Sequence, residues 1–234
     1  MDTKFIYEFL VDLQQNNSRE WMTANKSRYE RAKAEFMRLT DEVIVRTNQF
    51  DSTIGSLEAK DCIFRIHRDV RFSHDKTPYK RSMGAYVVCG GKKSMKAGYY
   101  FQIEPGGQTL VAGGLHCPPS DALKLVRKHI SEFGDELINI IEAPTFKEIF
   151  PRGLEGESLK RFPKGYSADN PYVEILKKKE FDVIYYCDED MVNDTEMFLN
   201  KIVSVFKEVV PLNRFINEAL EEYVFIPPQI KKRN

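Results

Sequence analysis

Apolar residues recur at helical spacing over the first fifty positions, switch to every second position through the middle of the chain, and then return to helical spacing. Phe5, Ile6, Phe9, Leu10 and Leu13 make one stripe that ends near Asn16-Asn17, which predicts a first helix. Asn17 followed by Glu20 predicts the cap of a second, longer helix, whose inner face is Trp21, Tyr29, Ala32, Phe36, Leu39 and Val43. Past a loop over 51–55, Cys62, Phe64 and Ile66 alternate with Ile63, Arg65 and His67 in the period of a strand. Residues 83–89 and 97–104 alternate around Gly90-Gly91-Lys92-Lys93 and predict a hairpin, after which Pro105-Gly106-Gly107 turns the chain into residues 109–112. Connections this short force antiparallel neighbours, so a meander is expected.

Cys117-Pro118-Pro119-Ser120 then opens a helix with Leu123, Val126, Ile130 and Phe133 on its apolar side, continuing past Gly134 through Leu137, Ile138 and Ile141. Pro151, Gly153, Gly156, Pro163 and Gly165 break residues 144–171 into turns and a long loop. Residues 173–179 read as a helix, 181–186 as a strand, and 195–206 and 212–223 as two amphipathic helices parted at Pro211. Residues 225–234, with Pro227-Pro228 and Lys231-Lys232-Arg233, read as a tail. The class expected is α+β: an antiparallel meander of about four or five strands flanked by N-terminal and C-terminal helices. One domain over 1–234 is expected, helical over 1–50, β-rich over 60–115 and mainly helical over 120–224.

Composition narrows the function. Lys plus Arg and Asp plus Glu balance at 35 each, so no global field holds a polyanion, and a nucleic-acid role needs a local patch. Cys62, Cys89, Cys117 and Cys187 lie far apart without a CxxC pair, which points away from a structural zinc site or a disulfide scaffold and toward reduced thiols. The first residues lack a basic, then apolar, leader, and no apolar run is long enough to span a bilayer, so a cytoplasmic protein without membrane contact is expected. Oligomeric state is left open.

Ionisable groups concentrate in IFRIHRDVRFSHDKTPYKR, residues 63–81. Arg65, Arg68, Arg71, Lys76 and Lys80, joined by Arg161 and Lys164 of the later KRFPKGY cluster, are the candidate anion-binding residues, because guanidinium forks and ammonium groups match phosphate and carboxylate oxygens. His67, Asp69 and Asp75 stand beside them as acid–base or structural partners. The alternative is a solvated network in which the acids neutralise the neighbouring arginines. A small anionic ligand, with an enzymatic role left undecided, is the first functional reading. The second is a nucleic-acid or protein surface using the same basic side with Tyr79, Tyr86, Tyr99 and Tyr100. No metal or cofactor is expected. A set drawn from His67, Asp69, His74, Asp75 and His116 matches no established ligand spacing, and adjacent His116 and Cys117 on a strand would point apart, which argues against a Cys–His nucleophile.

NNSREWM, IFRIHRDVRFSHDKTPYK with MGAY after it, AGYYFQIEPG and LKRFPKGYSADNPYVEILKKKEF together resemble the DUF2461 family over about residues 5–220. The resemblance implies no particular activity. The chain departs from the family's pattern at His67, His74 and Asn170.

Overall fold

Burial of one stripe per helix sets the N-terminal arrangement. In the computed structural model, which describes residues 1–223, α1 (Thr3–Gln15) buries Ile6, Phe9, Leu10 and Leu13 as expected. The second helix differs from expectation in two ways. Ser18 rather than Asn17 caps it, its hydroxyl accepting from the Trp21 amide at 3.1 Å, and the helix divides at Asn25 into α2 (Arg19–Ala24) and α3 (Lys26–Asn48). The Asn25 side chain donates back to the Trp21 carbonyl at 3.0 Å, the kind of local bond that competes with helix continuation. Asn17 is used elsewhere: its amide donates to the Tyr79 carbonyl and accepts from the Tyr79 amide, at 3.0 and 3.1 Å.

The strand expected over 62–67 does not form. Cys62 closes the short helix α4 (Ala59–Cys62), and the chain beyond it is extended, with single bridges pairing Ile63 to Ala85 and His67 to Tyr79. Cys62 and Ile66 are buried, but Phe64, of the same parity, is exposed, so the alternation is broken where Phe64 turns outward. The other expected strands are present. Residues Met83–Val87 (β1), Gly98–Ile103 (β2), Leu110–Leu115 (β3) and Phe181–Tyr186 (β4) form an antiparallel sheet in the order β1-β2-β3-β4, and the chain is of the α+β class.

Between β3 and β4 run α5 (Ser120–Ile141), α6 (Pro144–Ile149), a long loop and α7 (Val173–Leu176). Phe133, expected on the buried side of α5, departs from helical dihedrals and is exposed. After β4, α8 (Glu189–Asn193) leads to α9 (Thr195–Glu218), a single helix where two were expected. Pro211 removes one backbone donor, yet Phe206, Val209, Leu212, Phe215 and Ile216 keep one apolar face buried across it. Packing overrides the local breaker.

That face of α9 covers one side of the sheet. Tyr99, Phe101, Val111, Phe181 and Val183 are buried, with the Tyr99 and Phe206 rings 4.8 Å apart. Gly113 permits the approach, because a Cβ there would collide with Val209. Among the described residues no helix is long and apolar enough to cross a membrane, and the expected tail over 225–234 lies outside those residues.

Overpacking a well-filled core costs typically about 1–3 kcal/mol, and Gly113→Ala is expected to lower stability by that amount in urea unfolding. Combined with Val209→Ala, the cost is expected to fall below the sum of the two single changes, since both act on one contact.

Candidate functional site

Residues of opposite parity on the same strands leave the other side of the sheet open. Tyr86, Tyr100, Ala112 and Ile184 lie in one register row across the four strands, with Gly98, Gly114 and Asp182 in the next. Small residues in the middle of these rows hollow out a cleft of about 580 Å³, rimmed by Phe64, Lys80, Lys92, Lys96, His116 and Cys117. Burial pushes the pKa of both floor phenols well above the ordinary tyrosine value, with Asp182 adding to the effect at Tyr86 and Glu104 at Tyr100, so both stay protonated. Their hydroxyls are occupied: Tyr86 donates to the Lys96 carbonyl and Tyr100 to the Gln102 side-chain oxygen, each at 2.7 Å.

The seven cations expected to share a hollow are dispersed instead. Arg71 makes a two-point pair with Asp69, at 2.9 and 2.6 Å, and Arg68 holds Asp75 together with Thr77. Lys76 donates to the Val70 carbonyl at 3.0 Å. Carboxylates two and seven residues away capture the guanidinium groups before they can converge. Arg65 is exposed, as are Arg161 and Lys164 on the loop between α6 and α7. Of the seven, Lys80 lines the cleft. His67 packs edge-on against Tyr79 at 5.1 Å, and Asp69 and Asp75 serve the ion pairs. The tyrosines expected to form a flat outward face do not: Tyr79 and Tyr99 are buried, and Tyr86 and Tyr100 are inside the concavity.

Lys80 is half-buried with its ammonium 5.3 Å from the centre of the Phe64 ring. Burial, helped by the Arg65 charge, holds its pKa below the usual lysine value. Among the described residues no carboxylate lies within ion-pair distance of it. Lys92, in the turn before β2, donates to the Lys60 carbonyl at 2.6 Å.

At the other end of the cleft stands a group that residue spacing did not disclose. His116 and Cys117 were expected to point apart, but β3 ends at Leu115 and Cys117 adopts a φ of 46°, which turns its thiol back to within 3.4 Å of His116 Nε2. His116 Nδ1 lies 2.6 Å from Asp182 Oδ2 and 3.4 Å from Glu180 Oε2, and the Cys117 thiol donates to Glu180 Oε2 at 3.4 Å. Gly156, whose absent side chain leaves room for Glu180, and the Glu157 amide, bonded to Glu180 Oε1 at 3.0 Å, fix that carboxylate. The hydrogen bond to Asp182 raises His116 against its burial, whereas burial raises Asp182 against the pull of His116. Burial and the Glu180 charge raise the thiol. Glu180 itself ends below its usual value, because the Glu157 amide, the thiol and His116 outweigh its burial. The only signal in the sequence was the placement of Glu180 and Asp182 beside the apolar Phe181 and Val183.

A family model described as "Conserved hypothetical protein (DUF2461)" matches residues 6–215. No curated protein and no solved structure matches the chain.

The Arg71 side chain and amide hold Asp69 down to about 2, and the Thr77 amide and hydroxyl, then Arg68, do the same for Asp75. A depressed carboxyl stabilises the fold above its unfolded value of about 3.9 and loses that contribution as pH falls through the folded value. Loop order is therefore expected to hold down to about pH 4 and decay toward about 2. Carboxyl NMR titration should place both midpoints near 2, with Arg71→Ala returning Asp69 upward and Arg68→Ala moving Asp75 less, since Thr77 remains. Ordinary midpoints would show that the guanidinium groups are free.

Proposed function

The chain belongs to the DUF2461 family of conserved hypothetical proteins, and from the cleft itself we propose that it binds a small anionic molecule with a flat, largely apolar body. The observation that carries the reading is Lys80, an ammonium drawn partway out of water beside a second cation and left without a carboxylate partner among the described residues. Desolvated charge of this kind is costly unless paired. A phosphate or carboxylate oxygen arriving from the cleft supplies the missing partner. Tyr86, Tyr100, Phe64, Ala112 and Ile184 supply apolar area for the rest of the ligand. A hollow of about 580 Å³ falls within the usual range for small-molecule sites. The nucleic-acid reading loses its support, since it required tyrosines facing outward from a broad basic face.

Phenylphosphonate and inorganic phosphate are suitable probes, because a ligand that binds the native state alone stabilises it by mass action, about 2.7 kcal/mol at a hundredfold excess over Kd. Phenylphosphonate is expected to raise the melting temperature more than phosphate does. Lys80→Met should abolish the rise, and the paired Arg68→Ala/Arg71→Ala variant should keep it. The reverse pattern would move the ligand to the 68–77 loop and end the cleft reading.

A further inference from the structure

We infer that His116 Nε2, Cys117 Sγ and Glu180 Oε2 form a binding site for a divalent transition metal, zinc by donor type, with an open coordination position at the cleft. The inference stands on these donors and not on the anion reading. Imidazole nitrogen, thiolate sulfur and carboxylate oxygen are the zinc ligand set, and their donor atoms lie within 4.8 Å of one another. A tetrahedral zinc with bonds of about 2.3 Å to sulfur and about 2.0–2.1 Å to nitrogen or oxygen holds such donors roughly 3.5 Å apart. Sγ is 3.4 Å from Nε2 and 3.4 Å from Oε2. Glu180 Oε2 lies 3.4 Å from His116 Nδ1, so a metal held by Nε2 and Sγ draws that oxygen round the ring edge toward the sulfur.

The surroundings match a metal site. Asp182 accepts from His116 Nδ1 at 2.6 Å, which fixes the ring and aims the Nε2 lone pair at the sulfur; carboxylates do this for zinc-bound histidines. Glu180 and Asp182 have side chains only 14% and 15% exposed, and among the described residues His116 is the one basic group paired with either. The Cys117 thiol donates to Glu180 Oε2 at 3.4 Å, so sulfur and carboxylate already face each other. A dication replaces the thiol proton, lies between sulfur, nitrogen and carboxylate, and offsets the surplus negative charge. Three protein ligands leave the fourth position to water or to a molecule in the cleft, the arrangement of zinc sites that act as Lewis acids.

The test uses the full chain, stripped with chelator and titrated with cobalt(II) in a non-coordinating buffer without any anionic probe. The expected result is one equivalent of cobalt, with tetrahedral visible bands and a thiolate-to-cobalt charge-transfer band that zinc abolishes. Cys117→Gly should remove the charge-transfer band while remaining folded, because glycine suits a φ of 46° and the thiol is exposed. Asp182→Asn should weaken binding about 10–100-fold, the usual loss for an outer carboxylate. Cys89→Ser and Lys80→Met should bind as the parent does, so that failure of the anion reading leaves this one standing. Saturating zinc should also protect Cys117, but not Cys89, from alkylation by iodoacetamide. The inference is overturned by a cobalt spectrum without the sulfur band, by a band that survives Cys117→Gly, or by alkylation of Cys117 at the same rate with and without zinc.

Discussion

The close approach of α9 to β3 is the contact on which the remaining geometry depends. Gly113 brings Val209 against the strand, and Phe206 against Tyr99 extends the seam to β2. The Tyr99 hydroxyl, buried under this helix, donates to Asp51 at 2.5 Å, which ties the end of α3 and its following turn to the same layer. Apolar burial contributes about 25 cal/mol per Å² removed from water, and here it is concentrated on one side of the sheet. With that side committed, residues of the other parity are left to form a surface, and glycine and alanine at the centre make that surface concave.

The cleft is asymmetric in charge. Lysines gather on the rim beside β1 and in the β1–β2 connection, and two shielded carboxylates gather around β4. Neither end is self-contained. Among the described residues Lys80 has no carboxylate within ion-pair distance and the two carboxylates at β4 share one histidine, whereas the 68–77 loop between β1 and the preceding helix pairs its own charges. Arg68, Asp69, Arg71 and Asp75 are therefore largely spent on one another. Aspartates two and seven positions away along the chain take up Arg71 and Arg68 within the loop itself.

Periodicity together with turn signals exposed most of the architecture: the α1 stripe, the inner face of α3 and the four strands were legible, while the further strand they suggested over 62–67 does not form. What it missed were outcomes of competition. Asn25 divides a stripe that looks continuous, and Pro211 fails to divide one that looks broken, because a side-chain bond wins in the first case and core packing in the second. The candidate site was legible at Lys80 and, under the alternative reading, at Tyr86 and Tyr100. His116 and Cys117 were visible as residues, but their convergence depends on a backbone turn at Cys117 and on the pairing of β3 with β4, which brings Asp182 opposite Gly114 across 66 positions of chain separating it from His116. No local pattern encodes such a meeting.

Asn17 reads the backbone of Tyr79 through both of its amide atoms, as a neighbouring strand would. Lys80 is the next residue, and its own amide donates to the Ile66 carbonyl at 2.8 Å, so the ammonium at the cleft's edge takes its position from the turn between α1 and α2 together with the extended 63–67 segment. The N-terminal pair of helices thereby shares in shaping the cleft: two bonds from a single asparagine couple the α1–α2 turn to the strip of chain that carries its lysine.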